Sequence, residues 1–223
     1  MNWKGMRVDK RTRHTLWYVG VFAIAFAFVE SSVVVYLRAL YYPDGFRFPL
    51  ALMEIPRFQI ELAREAATMV MLGAVAFLAG TRAWERFGYF LVAFGVWDIF
   101  YYVWLKLLLG WPAAVTDWDV LFLIPLPWIG PVIAPVLLSL VMIGGGITMV
   151  VRMTSGEGFH FGRGSWVLSV AATLILVLSF VSDTDATLNG AMPSPYHYEI
   201  LVTSIAFYVV AFVLAVCPHH RGA

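Results

Sequence analysis

Apolar positions along this chain run in long blocks instead of alternating with polar ones. Almost wholly aliphatic or aromatic stretches occupy 16–37, 62–80, 87–109, 131–151, 164–182 and 199–216. A helix rises about 1.5 Å per residue and a hydrocarbon core is about 30 Å thick, so blocks of this length read as membrane-crossing helices. The pattern predicts an all-α fold: a single integral membrane domain over 1–223, built as a polytopic bundle of about six transmembrane helices. Alanines at 23, 25 and 27 resemble a signal-peptidase site, but the apolar run continues past them for a full span. The first block therefore reads as an uncleaved helix.

Two connections interrupt the pattern. Asp119 to Leu137 carries Pro125, Pro127, Pro131 and Pro135, which cannot all lie within one regular helix. A proline-broken segment is expected before the fourth helix: an interfacial or re-entrant piece up to Trp128, then a helix with Pro131 in its first turn. Backbone groups freed by such a break survive at membrane depth only against protein or water. The other connection, Tyr42 to Ile60, mixes Phe46, Phe48, Leu50, Leu52 and Phe58 with Arg47, Glu54 and Arg57. It reads as a segment lying on the membrane surface.

Composition agrees with the blocks: 61% of the 223 residues are hydrophobic and 13% charged, about half the charged share of a soluble domain. No basic stripe exists to neutralise phosphates, so the chain offers nothing to nucleic acid. The one cysteine, Cys217, excludes an internal disulfide and a cysteine-built cluster. His14, His160, His197, His219 and His220 all fall at or beyond block ends, which argues against haem clamped between helices. No lysine is deep enough for a retinal Schiff base. Hydrolase, zinc-peptidase, P-loop and dinucleotide signatures are missing, so the sequence nominates no catalytic residue, cofactor or metal.

Lysine and arginine are segregated. Lys4, Arg7, Lys10, Arg11, Arg13, Arg82, Arg86, Arg152, Arg163 and Arg221 all fall on the side of the termini. The positive-inside rule then puts both termini in the cytoplasm of a cell with this protein in its inner membrane. Acids gather on the opposite side. Asp117, Asp119, Asp183 and Asp185 read there as loop acids without cations nearby, too poorly spaced for a calcium loop.

What demands explanation is charge inside the blocks. Glu30 lies in the first, and Asp98 lies near the middle of the third. An ionised acid at the bilayer centre costs about 2.5–3.5 kcal/mol on insertion scales, so neither can face lipid uncompensated. Asp98, Tyr102 and Lys106 are four apart and form one ridge, with Tyr101 beside it. The second block opens with Glu61, Arg64 and Glu65, and Arg38 closes the first on the same side. These residues predict an outward-opening intramembrane carboxylate/arginine pocket formed by Glu30, Arg38, Glu61, Arg64, Glu65, Asp98, Tyr101, Tyr102 and Lys106. In it Glu30 and Asp98 bind, a tyrosine hydroxyl orients the acid, and Arg38 or Lys106 tunes it. The plainer alternative is a salt-bridged network that fixes helix register.

Three functions follow. The first is binding or conducting a proton, cation or small polar solute. The second is a noncatalytic subunit or assembly factor, in a larger membrane complex or a homo-oligomer. The third is an enzyme embedded in the bilayer acting on a lipid-like substrate. Membrane lipid is the one partner common to all three.

Overall fold

A computed structural model describes residues 9–51 and 53–217 of the chain; Lys4, Arg7, Leu52, His219, His220 and Arg221 lie outside them. The elements run α1 (Lys10–Tyr41), α2 (Ile55–Ala79), α3 (Ala83–Leu109), β1 (Trp118–Phe122), β2 (Trp128–Pro131), α4 (Ile133–Thr154), α5 (Arg163–Val181), α6 (Thr184–Leu188) and α7 (Tyr198–Val216). All except α6 among the helices are long and apolar enough to cross a membrane, which gives six spans. An even number of crossings returns both ends of the described chain to one side, here named the terminal end.

Helices overrun their apolar blocks where capping allows. Asp9 accepts a hydrogen bond from the Thr12 backbone N–H at 2.5 Å, so α1 begins within the basic segment ahead of its block. Pro56 sits in the first turn of α2, where its missing N–H costs nothing, and α2 starts well before 62. Gly110, at φ +70°, ends α3 in the left-handed region.

The proline-rich segment is not a broken helix. It folds as an antiparallel hairpin, with Asp119 opposite Gly130 and Val120 opposite Ile129, and a bulge at Leu121. Pro125 and Pro127 lie in its connection, where no ladder hydrogen bond is asked of them. Pro131 closes β2 instead of entering α4, and Pro135 falls in the first turn of that helix. Three contacts tie the hairpin down. The Leu123 backbone N–H donates to the Glu65 carboxylate at 2.8 Å, Thr184 Oγ1 donates to the Pro127 carbonyl at 2.6 Å, and Arg38 pairs with Asp119 at 3.1 Å.

α3 is the central helix, packed by α1, α2 and α4. The buried ridge of α1 reads Val19, Ala23, Ala27 and Ser31, all four apart, and that of α2 reads Thr68, Leu72 and Ala76. Val19, Ala23 and Ala27 with Leu72 and Ala76 meet Tyr89, Val92, Ala93 and Trp97 of α3 and Val150 of α4 in one apolar core. Small side chains let the backbones approach. Ser31 Oγ reaches across to the Tyr101 carbonyl at 3.1 Å, and Trp104 Nε1 donates to the Ile24 carbonyl at 3.1 Å. A second cluster joins Ala134, Leu176, Phe180 and Leu201, seating α5 and α7 beside the hairpin.

Of the triplet Gly144 to Gly146, only Gly146 is tightly enclosed. A Cβ there would come within 2.6 Å of the Gly88 carbonyl, and one at Gly88 within 2.8 Å of Val150. Gly146→Ala should therefore lower stability by roughly 1–3 kcal/mol through overpacking. Gly73→Ala, with nothing within 4 Å of the new methyl, should lose none. Thermal unfolding of the two variants in detergent checks this contrast.

Candidate functional site

The same ridges that build the apolar core change chemistry toward the hairpin. On α1, Ala27 and Ser31 give way to Glu30, Val34 and Arg38; on α2, Leu72 and Thr68 give way to Glu65 and Glu61. On α3, Trp97 is followed by Asp98, Tyr101 and Tyr102. Because each ridge faces its neighbours, the polar ends converge. They line a cavity of about 530 Å³, bordered on its outer side by the hairpin and by residues of the α1–α2 connection.

Eight of the nine predicted residues line this cavity: Glu30, Arg38, Glu61, Arg64, Glu65, Asp98, Tyr101 and Tyr102. Lys106 does not. Its ammonium donates to the Gly110 carbonyl at 3.1 Å and the Pro112 carbonyl at 2.7 Å, where the exposed carbonyls at the α3 C-terminus attract a cation.

The ion pairs differ from those expected. Arg64 binds Glu61 through Nε at 2.7 Å and reaches Glu30 through Nη1; Thr68 Oγ1 gives Glu30 a second hydrogen bond at 3.2 Å. Arg38 turns away from the buried acids of α1 and α3 and pairs with Asp119. Its guanidinium lies over the faces of Phe46, 4.2 Å away, and Trp111, 3.7 Å away, two rings set edge to face. The hydroxyl that reaches Asp98 belongs to Ser139 of α4, at 2.8 Å, and not to Tyr101 or Tyr102.

Asp119 is the main addition. Read as a loop acid without a cation, it is instead 3% exposed and on the cavity wall. Its position opposite Gly130 points it inward, and only the hairpin register, which the proline count did not reveal, could have found it. Burial pushes its carboxyl up to about 6, against the opposing pull of Arg38, the Val120 backbone N–H and the Tyr102 hydroxyl. A folded-state value above the ordinary one means that protonation favours the fold. This contribution is complete below 3.8 and is lost as pH rises through about 6.

The other outer acids have local roles. Asp117 caps a turn through the Ala113 and Ala114 N–H groups, and Asp183 binds Ser194. The α1–α2 connection does more than lie on a surface. Phe46 and Leu50 line the cavity, joined by Phe58 from the first turn of α2, while the Ala51 N–H donates to the Tyr42 hydroxyl at 2.7 Å and closes the loop on itself.

The balance of charge decides what the site can do. Five carboxyl groups (Glu30, Glu61, Glu65, Asp98 and Asp119) face two guanidinium groups, Arg38 and Arg64. Both arginines are already engaged. Among the described residues, Glu65 and Asp98 have no ion-pair partner, although Glu65 is only 8% exposed. Toward the terminal end the cavity is shut by the apolar core around Leu72, Ala93 and Ala27, so it is a pocket and not a pore. No three histidine, cysteine or carboxylate side chains among the described residues come together as metal ligands.

No protein-family model, curated protein or solved structure matches the chain, so its chemistry rests on this geometry.

Removing one partner of a buried pair leaves the other charge uncompensated, at a cost of about 3–5 kcal/mol. Arg38→Met should show this loss in thermal unfolding, and Arg38→Met with Asp119→Leu should recover most of it. The single-variant penalty should be largest at alkaline pH. It should shrink as pH is lowered toward about 6, since without the Arg38 guanidinium to hold it down Asp119 takes up its proton above that value.

Proposed function

We propose that this multi-pass membrane protein binds a cation or a proton in the carboxylate-rich cavity, as the loading step of transport across the bilayer. The observation that carries the reading is the formal excess of three negative charges around one cavity: five carboxyls against two arginines. In a medium of low dielectric such an excess is relieved only by taking up protons or by admitting a positive ligand. Glu65 and Asp98, which lack cationic partners, are the ligand-binding acids. Glu30 and Glu61 are held by Arg64, and Asp119 by Arg38, so these five residues shape the wall.

A network serving only to fix helix register would balance its charges, because every unpaired buried acid weakens the fold. The imbalance favours a site over a strut. The apolar seal toward the terminal end suits a carrier that exposes its site to one face at a time, with the hairpin side open to solution. With ten of the fifteen lysines and arginines toward the terminal side, we assign that side to the cytoplasm and the cavity to the outer face of an inner membrane.

Proteoliposomes holding an internal pH-sensitive dye provide the test. An imposed gradient of protons, or of sodium or potassium salts with a protonophore added so that cation movement is matched by proton movement, should drive a dye response above that of protein-free vesicles. Asp98→Asn and Glu65→Gln should each reduce the initial rate by at least tenfold. Wild-type vesicles indistinguishable from empty ones under every gradient would remove the transport reading.

A further inference from the structure

We propose that the ligand of this cavity is an amphipathic organic cation: a substituted ammonium group carried on an aliphatic or aromatic body. The inference deepens the preceding reading and rests on it, since both need the unpaired acids to receive positive charge.

A space of about 530 Å³ falls in the range of sites for drug-sized molecules and is far larger than a bare ion requires. A dehydrated metal ion needs several oxygen ligands converging within about 2.5 Å, and the described residues bring no three candidate side chains together. A diffuse organic charge makes no such demand. It needs negative potential and a surface that tolerates its alkyl groups.

Hydrocarbon makes up much of the wall beside the acids: Leu37, Met53 and Leu62 line the cavity together with Leu121, Phe122 and Leu126 of the hairpin. A small inorganic cation or a sugar would gain nothing from these side chains, whereas an apolar body gains about 25 cal/mol for each Å² withdrawn from water.

Trp97, Tyr101 and Tyr102 line the cavity beside Asp98, with Trp97 and Tyr101 stacked at 6.4 Å and Tyr101 and Tyr102 edge-on at 4.9 Å. Ring faces attract substituted ammonium groups through their quadrupole, most strongly when water is excluded. The protein already uses this device once, where the Arg38 guanidinium lies over the Phe46 and Trp111 rings.

Full-length protein in nanodiscs is titrated with phenyltrimethylammonium, its neutral isostere tert-butylbenzene, tetramethylammonium and sodium, with tryptophan fluorescence and thermal shift as readouts. Phenyltrimethylammonium should bind saturably, at least tenfold more tightly than each of the other three. Asp98→Asn and Glu65→Gln should each weaken it at least tenfold, with Glu157→Gln, paired to Arg152 at the terminal end, unchanged. Two acid variants are used so that a folding defect in one leaves the other informative. Equal binding of the neutral isostere, or affinity for sodium but not for phenyltrimethylammonium, would overturn the organic-cation assignment while leaving cation loading intact. Absence of binding by every probe, together with absence of flux, would overturn both.

Discussion

A carboxylate inside a membrane must find something other than hydrocarbon to face, and that requirement organises half of this molecule. Glu30, Glu61, Glu65 and Asp98 come from three separate helices, yet each lies on the ridge its helix turns inward. The same ridges carry alanine, leucine and valine nearer the termini. One packing geometry thus yields a dry core at one end and a polar cavity at the other, with the change set by side-chain identity along each ridge.

The hairpin follows from the same constraint. Backbone in the 118–131 segment cannot be helical because of its prolines, and a strand pair satisfies its groups only in part. Glu65 accepts the Leu123 N–H that the bulged ladder leaves over, so an acid of the site also anchors its roof. Arg38 does the equivalent for Asp119. Site and scaffold share these residues, which makes the cavity sensitive to changes in the hairpin.

Much of this was legible in the residues. Apolar block length gave six spans because lipid imposes a minimum length on each, and the cost of buried charge pointed to inward positions for Glu30 and Asp98, which line one cavity without sharing a partner. Pairing was less legible. Lys106 lies on the Asp98 ridge by spacing, but a long flexible side chain is drawn to the nearest unsatisfied carbonyls, at Gly110 and Pro112. Arg38 was free to extend toward any acid, and Asp119 became its partner only through a hairpin that periodicity does not announce. Strand pairing is non-local, so a short hairpin between long helices leaves a weak mark on sequence.

The central claim is that the deep acids border a cavity reached by solution from the hairpin side. Its most direct measurement is cysteine accessibility in a Cys217→Ser background, using a charged, membrane-impermeant thiol reagent on sealed vesicles of defined orientation. Val34→Cys, on the cavity wall between Glu30 and Arg38, should react when the reagent is on the hairpin side only. Val29→Cys, 57% exposed on the outer perimeter of α1, should stay unmodified in lipid. Reaction at 29 with silence at 34 would turn the first helix around, put Glu30 against the acyl chains and contradict the account.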